Sequence, residues 1–182
     1  DELGLPIPIL ACHFHFLRDV GKDLLTKSYN ELRELIRRFR LRPALRTLAR
    51  DLGRRLRGRL AYLRVKMTEW SETAEDHIMP DGHLGLATVR TFAQWALDYS
   101  TDARHGLPFD TPYLAFYQRC FQVRRAADAY LRRPPIDTAV RSALYRLARV
   151  LDPVVAEVPF TRVAQTVSDR AALFGELRAA LR

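Results

Sequence analysis

The sequence predicts a mainly α-helical protein: a helical bundle of about six or seven helices with one short N-terminal strand. Three observations carry that expectation. Apolar residues recur three and four positions apart through most of the 182 residues. Prolines and capping residues cut the chain into segments of helix length. The apolar share is 48%, enough to build a core.

The elements follow in order. Leu5 to Ala11 is apolar and punctuated by Pro6 and Pro8, which suits a short edge strand over residues 7–14. A helix then starts near His15 and passes through Leu17, Val20, Leu24 and Leu25, with Gly21 as a weak spot. Ser28 and Glu31 form a capping box that opens a separate helix over 29–40, lined by Leu32, Leu35, Ile36 and Phe39. Pro43 fits the first turn of the next helix, whose buried stripe is Leu45, Leu48, Leu52 and Leu56. The stretch 62–79 reads as helix or irregular structure, and Pro80-Asp81-Gly82 as a turn. Leu86, Val89, Phe92, Ala93, Ala96 and Tyr99 mark a helix from His83 to about Asp102. After a loop over 105–110, Thr111 caps a helix with Pro112 at its first position and Phe116, Cys120, Val123 and Ala127 inward. Asp137 caps the next helix, which Pro153 stops. The last helix runs from about Phe160.

Chemistry-bearing residues cluster in two places. Cys12, His13 and His15 are metal-capable, and Cys12-x-x-His15 has metal-ligand spacing. A structural zinc site needs four ligands, and His77, His83 and His105 stand at no standard spacing from the first three. A buried, hydrogen-bonded cluster at a strand end is the competing reading. In a strand His13 and His15 would share a face, whereas in a helical turn Cys12 and His15 would be neighbours. The second place is arginine. Thirty Lys and Arg stand against 21 Asp and Glu, for a formal charge of +9. Arg46, Arg50, Arg54 and Arg57 fall opposite the leucine stripe of their helix, with Arg37, Arg38, Arg40, Arg42, Arg55 and Arg59 around them. Such a helix can lie along a phosphate backbone, so DNA or another polyanion is the first partner to consider. No apolar run approaches the roughly 20 residues a membrane span needs. Two cysteines make no disulfide framework, which points to a reducing, cytoplasmic setting. There is no Gly-rich phosphate loop, no H-E-x-x-H and no EF-hand.

The run from Leu5 through Cys12, His15 and Asp19 to Leu25 resembles the segment after the second catalytic aspartate in bacterial relatives of the Mutator-like DDE transposases. Gly106 to Tyr113, leading into Phe116 to Cys120, is similar to the same group. The resemblance implies that residues 1–27 are the edge of a truncated RNase H-like core and that 28–182 are a helical insertion domain. It implies a parent enzyme that uses Mg²⁺ to cut and join DNA strands, with its catalytic acids outside this chain, which would be a fragment, inactive alone. No catalytic residue and no cofactor is therefore expected here. Expected partners are DNA and a second copy joined through the helical insertion, in the bacterial nucleoid. The alternative is a stand-alone basic helical nucleic-acid-binding or regulatory protein without catalysis.

Overall fold

The computed structural model describes residues 13–70, 81–99, 105–132 and 137–181, and among these every regular element is a helix. In order they are α1 (His13–Arg38), α2 (Leu41–Trp70), α3 (Asp81–Leu97), α4 (Pro112–Leu131), α5 (Thr138–Ala156) and α6 (Val158–Ala180). The mainly α expectation therefore holds. Of the expected strand, residues 7–12 lie outside the described ones, while His13 and Phe14 open α1.

The largest correction concerns α1, where two expected elements are one helix. Leu17, Gly21, Leu25, Ser28, Leu32 and Ile36 are all buried and recur at three to four residues, so one continuous seam runs past the expected break. Ser28 caps nothing. Its hydroxyl turns back to donate to the Leu25 carbonyl at 3.3 Å. α6 supplies the opposing surface and runs antiparallel to α1. Arg170 donates to the Leu24 carbonyl at 3.0 Å, and the Phe174 ring lies beside Gly21. Gly21 is not a weak spot but a requirement. A Cβ there would run into Pro108 and approach Phe174 to 2.7 Å. At the start of α1, Phe14 stacks on Phe109 at 4.9 Å; Phe109 meets Phe174 edge-on, and Arg178 lies over the Phe109 ring.

α2 pairs with α3, α4 pairs with α5, and α5 also packs on α2, α3 and α6. The core so formed holds Leu32, Ile36, Leu45, Leu52, Leu86, Phe116, Leu144, Leu147, Leu151 and Phe160. Cys120 sits in it fully buried, as its helical register predicts, and burial pushes its thiol pKa up.

The remaining boundaries follow the expected signals unevenly. Asp137 accepts from the Ala139 and Val140 amides at 2.8 and 3.1 Å, a true cap. Pro112 is at the start of α4, but Thr111 makes no side-chain cap. The preceding loop is tied instead by the Asp110 carboxylate, which accepts from the His105 and Gly106 amides. Asp81 and Gly82 belong to α3 rather than to a turn. Pro153 lies inside α5, which continues to Ala156 because Val154 is still fully buried. Glu157 then serves as the C-cap of α5 and the N-cap of α6. None of the described helices is long and apolar enough to cross a membrane.

Candidate nucleic-acid interface

The basic surface is built on α2. Its inner side is Leu45, Leu48, Leu52 and Leu56, all buried against the core. At 100° per residue the opposite side must carry Arg46, Arg50, Arg54 and Arg57, and all four are exposed. Over eleven residues at 1.5 Å each they span about 16 Å, with a guanidinium for roughly each turn.

Among the described residues one carboxylate forms ion pairs with this row. Asp51 accepts from Arg54 at 2.6 Å and from Arg146 of α5 at 3.1 Å. Those hydrogen bonds, Arg54 first, hold the Asp51 pKa below the usual carboxylate value. Arg54 is thus partly neutralised. Arg46, Arg50 and Arg57 form no ion pair among the described residues.

Two features extend the face beyond the four residues the periodicity identifies. At Gly53 α2 lets α3 come close. A Cβ there would lie 3.2 Å from Arg90 Nε and 3.7 Å from Arg57 Nη1, so the Arg90 side chain lies across the helix pair beside Arg57. A glycine inside a leucine-arginine helix was the sequence signal for that approach. Between α2 and α3 lies a groove of 650 Å³ lined by Arg46, Thr91, Gln94, Trp95 and Asp98 among others. Trp95 is 41% exposed there, with the Arg119 guanidinium 5.0 Å from its ring centroid and an Arg119 hydrogen bond to its carbonyl.

Tyrosines pin the arginines at the other end of α2. Arg42 lies over Tyr99 at 5.3 Å and Arg33 of α1 over Tyr113 at 6.0 Å. Burial raises the Tyr99 pKa, against the pull of Arg42 and Arg46. Burial also pushes Tyr29 up to about 12; its hydroxyl oxygen accepts from the Tyr113 amide at 3.2 Å.

The metal-capable stretch fares differently. Cys12 lies outside the described residues, and so does His77. His13 and His15 both stand in the first turn of α1, so the strand in which they would share a face is not what forms there. His15 is exposed and touches only the edge of Phe14 within the described ring contacts. His83 is buried in α3, and His105 is exposed in the loop before α4. Among the described residues no three His, Cys, Asp or Glu side chains come together as a metal centre needs.

No family model, no curated protein and no solved structure matches this chain.

Proposed function

We propose that the chain binds a nucleic-acid backbone along the outer side of α2, as the helical insertion of a DNA transposase with an RNase H-like core. The observation that carries the first part is the exposed row of Arg46, Arg50, Arg54 and Arg57, of which only Arg54 is ion-paired among the described residues, to Asp51. Each guanidinium in such a row can replace counterions on one phosphate. The leucines beneath it fix the helix to a rigid core, so the charges are held in position before any ligand arrives. The transposase parentage rests on the Cys12-x-x-His15 context and on the run from Gly106 to Tyr113. In that reading the strand-bearing core edge occupies the N-terminal stretch, and the catalytic acids belong to other segments of the parent.

Replacing Arg46, Arg50, Arg54 and Arg57 together with Gln tests the first part. Duplex affinity should fall, and the slope of log K against log salt should flatten by about 3 units, since roughly 0.9 is lost per phosphate contact and Arg54 is already engaged. An unchanged slope would overturn it. The parentage is tested by reading the frame that surrounds the coding segment. Aspartate-bearing strand segments upstream and a glutamate-bearing helix downstream are expected. Their absence leaves the free-standing nucleic-acid-binding alternative.

A further inference from the structure

The arginines of the α1–α2 joint converge on one place. A cavity of 510 Å³ is lined by Arg33 and Arg37 from α1, by Arg40 at the joint, by Arg42 and Arg46 from α2, and by Tyr113. Five cations around one volume repel one another and persist only where something else holds them. Two are held by tyrosine rings, Arg33 by Tyr113 and Arg42 by Tyr99. The one carboxylate paired with any of the five among the described residues is Glu34, 3.0 Å from Arg37 on the exposed side. Arg42 Nε is buried with no hydrogen-bond partner among the described residues, a donor left without its acceptor.

The backbone adds a second, independent sign. Arg40 has φ of +51°, the left-handed region that favours glycine. With Phe39 it makes up the two-residue turn from α1 into α2: its amide donates to the Arg37 carbonyl at 2.9 Å, and its carbonyl accepts from the Ala44 amide at 3.1 Å. Glycine would make this turn with less strain. An arginine here places a guanidinium at the cavity, beside the positive end of the α2 dipole.

We infer that this cavity receives a terminal phosphomonoester of a nucleic-acid strand, whose following phosphates run down α2 over Arg50, Arg54 and Arg57. The difference between the two arrangements of arginine decides the chemistry. Charges spaced along a helix suit the singly charged diesters of a continuous backbone. Charges converging on one cavity suit a doubly charged phosphate with three free oxygens, which a strand end carries and an internal linkage does not. Arg46 belongs to both sets, which puts the end and the track in line. The inference rests on the nucleic-acid reading above.

The test is fluorescence anisotropy with the full chain and three labelled duplexes of one sequence, ending in a 5′-phosphate, a 3′-phosphate or hydroxyls only. One phosphorylated end should bind about tenfold more tightly than the hydroxyl form at low salt, as charge-assisted hydrogen bonds predict. Equal binding of all three overturns the inference and leaves the backbone reading standing. Inorganic phosphate and a mononucleotide serve as competitors. Release of the duplex by either at micromolar concentration would overturn the strand-end assignment in favour of a small phosphate ligand. Failure of all duplexes to bind would overturn both readings. Arg33→Gln/Arg37→Gln/Arg42→Gln should abolish the end preference and keep most of the binding to hydroxyl ends. Because Arg33 and Arg42 also pack on tyrosines, Arg37→Gln and Arg40→Gly serve beside it. Arg40→Gly should raise the unfolding midpoint by about 2–4 °C while weakening the end preference severalfold. An end preference left intact in both single variants would overturn the site.

Discussion

Arginines on the two flanks of the bundle do different work. Between α4 and α5, Arg124 is enclosed by Asp128 and by Asp152, the latter at 2.9 Å, and little of its side chain meets solvent. Along α2, Arg46, Arg50 and Arg57 face solvent with no acid near enough to pair among the described residues. The residue type is the same, and the net charge of the chain counts both alike. What separates them is the position of carboxylates in space: Asp128 one turn along α4 and Asp152 from α5. Arg124 joins two helices; Arg46, Arg50 and Arg57 of the α2 row form no ion pair among the described residues and are open to a partner outside the bundle.

Substitutions can break that contrast in graded steps. Leu52→Ala, on the buried side of α2, removes the platform on which the row stands. It should cost about 2–4 kcal/mol, seen as an earlier denaturation midpoint, and lower binding in proportion to the folded fraction lost. Arg124→Met should cost about 1 kcal/mol, since both carboxylates also reach water, and leave duplex affinity unchanged within error. A drop in affinity would show that the α4–α5 flank takes part in binding. Asp51→Asn should have the smallest effect and the most informative sign. It removes the carboxylate between Arg54 and Arg146, so binding should tighten slightly and the salt slope steepen by about 1. The lowered Asp51 pKa means that its stabilisation is complete above the ordinary carboxylate range and is lost as pH falls through the folded value. Acid titrations of the two proteins should therefore diverge above about pH 4 and converge below it, with the variant the less stable at neutral pH.

How much of this was legible in the sequence depends on whether the deciding contact is local. Asp137 and Pro112 mark helix starts through groups one to three residues away, and both signals hold. The leucine and arginine sides of α2 follow from helical geometry alone and hold as well. Ser28 and Glu31 give an equally good local signal that fails, because the buried seam facing α6 favours continuation over a cap. Pro153 is overruled in the same way by the burial of Val154. The cavity at the joint was out of reach of pattern reading. Arg33 and Arg37 on one helix meet Arg42 and Arg46 on another only through the backbone turn at Arg40, and arginine gives no sign in sequence of adopting it. Cys12, His13 and His15 drew attention by adjacency, yet Cys12 lies outside the described residues and a helix begins at His13 in place of the strand that would set the two histidines on one face.

The antiparallel seating of α1 on α6 has one more consequence. Phe14 near the first described residue and Arg178 near the last both rest on the ring of Phe109. The first turn of α1 and the last turns of α6 are thus clamped at one point, and it is the 105–110 loop that clamps them.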